Sequence, residues 1–409
     1  MLRSLVSKFR LQERDFILFL LVGVFLGIAQ SIDGSTLNNF LKEKFDMMII
    51  QRSAMEIPRE LPGLLVFIII GFLYALGDLR IAVIANISAA VGMLLLGIIP
   101  PVFSIALICI FIYSSGQHIY MPLSNTIAMS FASDRRLGRK LGQVSAANTA
   151  SLVVSSGLLW LFFKFFKVSF TVTFTIGAAA FIAAAIMLSM MNPNRTAPLK
   201  TRFVFRKEYR LFYWLSVLYG ARKQIFITFG PWVLVDIFKQ KVTTMTILFF
   251  IISLFSIAFR PFTGYLIDRV GEKFVLASEA LVLFIVCLGY TFATDIFPLS
   301  IAIVVISICY IVDQLFNSAS MARATYLRKI ALKDEDVSPT LSLGISIDHI
   351  MSMFLPVLGG LVWYGGGSNG YKYVFMGGAA VAVLNFISAR FIKVPENEDE
   401  NDKVPETAI

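Results

Sequence analysis

The chain has 409 residues, of which 57% are hydrophobic and 15% charged, with a mean hydropathy of +0.78, whereas a soluble domain carries about a quarter charged residues. That balance excludes a water-soluble fold. The net charge of +10 does not indicate nucleic acid, because the basic residues fall between the apolar runs rather than along one face.

The apolar runs begin near residues 15, 52, 81, 102, 142, 168, 211, 244, 274, 299, 339 and 371. Each is long enough to cross a hydrocarbon core of about 30 Å, which takes roughly 20 helical residues. Lacking the alternation of barrel strands, they can satisfy their backbone groups in lipid only as helices. The expected fold is therefore all-α and integral to the lipid bilayer, with about twelve transmembrane helices. The basic start, with Arg3, Lys8, Arg10 and Arg14, leads into the first of these spans rather than into a cleavable signal. Cys109, Cys287 and Cys309 sit singly inside apolar runs, so neither a disulfide frame nor a metal site is expected.

With the N-terminus inside, the cytoplasmic loops hold roughly 23 Lys and Arg against about 8 in the opposite loops. The first group includes Arg135, Arg136, Arg139 and Lys140; the second includes Lys42, Lys44, Lys164, Lys167, Lys239 and Lys241. Both termini are thus expected in the cytoplasm, with the chain in the cell (inner) membrane. Residues 192–210, basic and containing Pro193 and Pro198, read as a linker between an N-terminal lobe (1–191) and a C-terminal lobe (211–393) of six spans each. Residues 394–409 are acidic and too polar to pack, so disorder is expected there.

The two sets of spans echo one another weakly. Phe25-Leu26-Gly27-Ile28-Ala29-Gln30 matches Leu218-Tyr219-Gly220-Ala221-Arg222-Lys223, Ser104-Ile105-Ala106 matches Ser300-Ile301-Ala302, and Gly142 corresponds to Gly344. Between the eighth and ninth spans stands Gly264-Tyr265-Leu266-Ile267-Asp268-Arg269-Val270-Gly271-Glu272-Lys273. This resembles the G-x-L-x-D-R-x-G-x-K loop of the major facilitator superfamily, and with the spans, linker and repeat the resemblance covers nearly the whole chain. It implies two six-helix lobes, with the third, sixth, ninth and twelfth spans outermost, and a secondary transporter that rocks its lobes about a midplane site. Gly264 is expected to permit close helix contact, Asp268 to accept from a neighbouring helix start, and Arg269, Gly271 and Lys273 to complete a conformational latch. The equivalent first-half loop, Gly71 to Arg80, is degenerate. Pro356-Val357-Leu358-Gly359-Gly360 in the eleventh span suits either close packing or gating.

An ionisable group near the bilayer centre is expensive unless it faces protein or water, so each one is a candidate site residue. Arg222, Lys223 and Gln224 stand halfway along the seventh span, where the cations either bind an anionic group or neutralise buried carboxylates. Gln30, Asp33, Gln117 and Asn317 join them as candidate solute-binding residues. Tyr310, Asp313, Asn317 and Ser320 share one helix face, as do Asp348 and Ser352. Asp313, Asp348, His349 and His118 are the candidates for proton coupling, although a structural role suits His118 as well. Glu56 and Arg59 can pair within one turn, and with Glu60 they read as mainly structural.

No G-x-x-x-x-G-K-[ST] loop is present, so an ion gradient, expected to be of protons, supplies the energy, and no other cofactor is expected. The partner is a small anionic or polar solute. Alternatives are efflux of a drug-like or lipid-like solute, although the fifth span, Gln143 to Phe163, lacks the Gly-Pro signature of drug antiporters, or a sensor on a transporter fold. An embedded enzyme would need a metal-binding or nucleophile motif that the sequence lacks.

Overall fold

A computed structural model describes residues 2–99, 102–131, 137–192 and 204–394. Most of the basic linker, the loop around Arg135 and nearly all of the acidic tail lie outside the described residues. The described residues form helices and no strands. In chain order these are α1 (Leu2–Phe45), α2 (Ile49–Ala54), α3 (Glu56–Leu73), α4 (Asp78–Ile98), α5 (Phe103–Met129), α6 (Leu137–Leu161) and α7 (Phe170–Ser189). There follow α8 (Arg210–Gln224), α9 (Gly230–Trp232), α10 (Val242–Ile296), α11 (Leu299–Phe316), α12 (Ser320–Ile330), α13 (Asp334–Gly365) and α14 (Gly370–Ala389).

Among the described residues, nine helices are long and apolar enough to cross a membrane. One of these, α10, is two spans joined at Gly271, whose φ of 82° and ψ of 164° interrupt the helix. Only glycine takes that conformation without strain, so the glycine of the charged loop is where the chain turns back. Two further segments, α2–α3 and the run from Arg210 to Ile237, bring the arrangement to one that fits twelve passes. Both are less apolar than the other spans, carrying the charges Arg52, Glu56, Arg59 and Glu60, and Arg222 and Lys223. The run after Gln224 is also irregular, with wide turns at Ile225–Phe229 and Val233–Ile237 on either side of Pro231, a deviation often found at functional positions.

Helices α1 and α3–α7 pack against each other as one bundle, and α8–α14 as a second. Aromatic pairs fasten each one: Phe40 of α1 meets Phe174 of α7 edge-on at 4.8 Å, and Tyr290 of α10 stacks on Phe375 of α14 at 4.0 Å. Apolar side chains such as Ile84, Ile87, Val172, Ile176, Ile285, Phe292, Met376 and Val383 stand exposed on α4, α7, the second arm of α10 and α14, forming the exterior that lipid requires.

The molecule has a near end, where α1 begins, and a far end, where it finishes. The bundles meet tightly at the far end. Lys42 pairs with Asp236 at 3.0 Å, Asn39 Nδ2 donates to the Gln240 carbonyl at 2.9 Å, and the Arg52 guanidinium lies 5.9 Å over the Trp232 ring. Ser53 packs under Gly360, where a side-chain carbon would come within 2.6 Å of Ser53 Cβ. Gly360 thus packs closely across the bundles, whereas Gly359 packs on Phe229 within its own.

Candidate functional site: a central cavity walled by amides and buried ion pairs

Between the bundles lies a cavity of about 690 Å³, within the size range of small-molecule sites. Most of its wall lies in the near half of the helices, while Arg59 and Glu60 stand at the start of α3, towards the far end. The middle of α1 supplies Phe19, Gly23, Leu26 and Gln30, the second half of α5 supplies Gln117, His118, Tyr120, Ser124 and Asn125, and the first half of α6 supplies Val144, Ser145 and Asn148. Arg59, Glu60 and Asn86 complete the N-terminal wall with Phe181, while the C-terminal bundle contributes only Lys223 and His349 among the described residues.

The amides are only partly used. Asn148 Nδ2 donates to the Gly23 carbonyl at 3.1 Å and to Gln30 Oε1 at 3.3 Å, Gln117 Nε2 donates to Tyr113 Oη at 2.7 Å, and Asn86 Nδ2 donates to the Ala82 carbonyl at 2.8 Å. Asn86 Oδ1 has no hydrogen-bond partner among the described residues. An unpaired buried acceptor is costly in a dry wall and natural in one that receives a ligand or water.

The charges, by contrast, are spent on one another. Arg222, 4% exposed, reaches Glu279 of α10 and lies 3.4 Å from Asp313 of α11, both 2% exposed. Lys223 pairs with Asp348 of α13 at 2.8 Å. In the N-terminal bundle Glu56 takes Arg52 and, at 3.2 and 3.3 Å, Arg59. Between the bundles His349 Nδ1 meets Glu60 Oε2 at 2.9 Å, and the His118 ring contacts that of His349 edge-on. Pairing is what makes such burial tolerable, since removing one partner of a buried pair costs about 3–5 kcal/mol.

The candidate solute-binding residues thus divide. Gln30, Gln117 and Lys223 line the cavity; Arg222 is enclosed with its two carboxylates, Gln224 is fully buried and donates to Thr228 at 3.0 Å, and Asn317 accepts from Tyr219 at 2.8 Å. Asp33 is half-buried beside the Tyr113 hydroxyl and Arg59. Of the proton-coupling candidates, His118 and His349 face the cavity, whereas Asp313 and Asp348 stand behind it in their ion pairs.

In the charged loop, Gly264 has open space around it: a side-chain carbon there would meet nothing within 4 Å. The expectation of close helix contact at Gly264 is therefore corrected. Asp268 is exposed and makes no hydrogen bond among the described residues, and Arg269 bonds only to Tyr265 Oη at 2.9 Å. Lys273 is exposed, and its neighbour Glu272 is buried against Lys329 at 2.8 Å.

Sequence reasoning missed Asn86, Asn125 and Asn148 as wall residues, although an amide in mid-span was a usable signal. It set Glu60 aside as structural. It also missed Arg323, whose guanidinium lies 3.5 Å over the Tyr219 ring, its Nε without a hydrogen-bond partner among the described residues.

A multi-pass helical protein made of two bundles, with a solute-sized cavity between them and ion pairs at mid-depth, has the build of a membrane transporter. The profile of the Major Facilitator Superfamily matches residues 59–331, more than half of the chain, and the chain belongs to that superfamily of transporters. No curated protein matches the sequence. Solved structures share its fold at low identity. A point mutant of the nucleoside transporter NupG is similar with a TM-score of 0.75 and 14% identity, covering 92% of this chain and 99% of that one. A bacterial homologue of the human lysosomal transporter Spinster, inward-facing and unoccupied, gives 0.67 and 13%, with 93% and 98% covered. A bacterial homologue of the iron transporter ferroportin, inward-facing, gives 0.70 and 14%, again with 93% and 98% covered.

Proposed function

We propose that the protein is a secondary transporter that carries a small, neutral, polar solute through the central cavity by alternating access, with protons as the coupling ion. The observation that carries this reading is the cavity wall itself: five carboxamides, Gln30, Asn86, Gln117, Asn125 and Asn148, interleaved with Phe19, Tyr120 and Phe181. Amides offer donors and acceptors without charge, and rings offer stacking, which together suit a solute of the nucleoside or sugar class. The fold-mate NupG is named for nucleosides. Arg59 and Lys223 already have carboxylate partners, which favours a neutral solute over an anion.

With the far end latched by Lys42–Asp236 and the cavity in the near half, the arrangement has the character of one of the two states an alternating carrier visits. The distribution of Lys and Arg puts the near end, with both termini, in the cytoplasm. The Glu60–His349 contact spans the bundles, and a proton shared between imidazole and carboxylate is released when rocking separates them. Purified protein in proteoliposomes, offered radiolabelled nucleosides and sugars with and without a pH gradient, tests the reading. Saturable uptake that an imposed proton gradient drives is the expected result. Solute binding without uptake would make the protein a sensor, and uptake indifferent to the gradient would remove the proton.

A further inference from the structure

Glu60, His118 and His349 come from α3, α5 and α13, and His349 and Glu60 stand 289 positions apart in the chain. One ligand atom from each lies within 4.8 Å of the others at the cavity wall. The space for the two imidazoles is made by Gly63, one turn beyond Glu60. A side-chain carbon at Gly63 would fall 2.6 Å from His118 Cδ2 and 2.6 Å from His349 Nδ1, so both rings rest on bare backbone.

His118 Nδ1 lies 2.9 Å from both the Ser114 carbonyl and Ser114 Oγ; the hydroxyl donates to the Arg59 carbonyl and the Ser114 carbonyl can only accept, so Nδ1 carries the proton and Nε2 keeps the lone pair. A ligand histidine is commonly oriented in this way, by its other nitrogen donating to a carbonyl. Of the surrounding cations, Lys223 pairs with Asp348 at 2.8 Å, and Arg59 shares Glu56, at 3.2 Å, with Arg52. Glu60 has the His349 imidazole as its direct partner, with the charges of Lys223 and Arg59 also acting on it.

We infer that Glu60, His118 and His349 bind a divalent late first-row transition ion of the Zn²⁺ or Co²⁺ type, through one carboxylate oxygen and two imidazole nitrogens, with water on the open cavity side. Two imidazoles and a carboxylate are a fitting donor set for such ions. Metal–ligand bonds of about 2.0–2.2 Å put neighbouring donor atoms about 3–3.5 Å apart, so side chains whose ligand atoms lie within 4.8 Å of one another close by up to about 1.5 Å on binding. Because its ligands come from both bundles, the ion holds them in the arrangement seen here. The inference rests on this geometry and not on which solute the cavity carries.

The test is titration of the purified, untagged full-length protein with Co²⁺, read by its visible absorption, and with Zn²⁺ by calorimetry in two buffers of different ionisation enthalpy. The expected result is saturation at one ion per chain with proton release. His118→Gln and His349→Gln should each lower affinity at least about tenfold. Gly63→Ala, which leaves every ligand in place and improves helix propensity, should also weaken binding by crowding both rings. No saturable Co²⁺ signal in the wild-type protein overturns the site, and so does binding unchanged in both histidine variants. Uptake of polar solutes, measured on the same preparations in metal-free buffer, separates this outcome from the transport reading: loss of either result leaves the other standing.

Discussion

In the N-terminal bundle, Gly27 lets α1 approach α6 so closely that a side-chain carbon would lie 2.7 Å from the Asn148 carbonyl, and three residues later Gln30 accepts from Asn148 at 3.3 Å. In the C-terminal bundle, the echoed Gly220 lets α8 approach α13, where the same carbon would lie 2.9 Å from Asp348 Oδ1, and three residues later Lys223 donates to Asp348 at 2.8 Å. One helix crossing is thus built twice with different chemistry. The amide pair leaves Gln30 Nε2 and Asn148 Oδ1 without partners among the described residues, open to a solute. The ion pair leaves no charge free. On the proposed function, the N-terminal bundle recognises the solute, while the C-terminal bundle holds charges whose pairing fixes the state of the carrier.

The largest expected effect is at Arg222, whose echoed position in the first half is the fully buried Ala29. Arg222→Gln strands Glu279 and Asp313 in a site where each is 2% exposed. Stability should fall by about 3–5 kcal/mol, read as the unfolding midpoint in detergent. Adding Glu279→Gln and Asp313→Asn should recover most of the loss, and a triple variant no better than the single one would show that charge is not what Arg222 serves.

A smaller effect distinguishes the paired crossings. A double-mutant cycle on Lys223→Met and Asp348→Asn should give a coupling of about 1–3 kcal/mol, against under about 1 kcal/mol for Gln30→Leu with Asn148→Ala. Equal couplings would erase the contrast between the bundles.

Asn148→Ala should weaken solute binding about five- to tenfold, the worth of roughly one hydrogen bond, while Lys223→Met should change affinity less. The reverse order would transfer recognition to the C-terminal bundle and restore the anionic solute. The smallest effect on stability is expected at the exposed Asp268, where Asp268→Asn should stay within about 0.5 kcal/mol yet slow transport, because a latch partner is met in one lobe arrangement only. Normal transport in that variant would leave the loop as a turn.

The fold was legible because lipid imposes one requirement that sequence displays directly, which is apolar length between polar breaks. The start of each run reappears as a helix or, near residue 274, as the second arm of α10 beyond Gly271. Partners across helices were not legible. Glu56 and Arg59, one turn apart, were paired from spacing alone and are paired in the structure. Glu60, their neighbour, faces a histidine in the other bundle, which no periodicity within one helix reports. Arg222 left two readings open because the choice depended on whether carboxylates from α10 and α11 reach it, and they do. Asn86 and Asn148 escaped notice because one neutral amide hardly interrupts an apolar run, although it sets what the cavity can hold.

The central claim, a carrier that alternates between a far-closed and a far-open arrangement, is tested most directly by spin labels on the exposed far-end residues Met48 and Lys241, with Met48→Cys and Lys241→Cys placed in a background whose three cysteines are replaced by serine. Pulsed electron paramagnetic resonance in proteoliposomes should show a short distance, corresponding to the arrangement latched by Lys42–Asp236, and a longer one whose share changes with pH and with added polar solute. A single short distance, unchanged under every condition in which uptake is measured, would contradict the account.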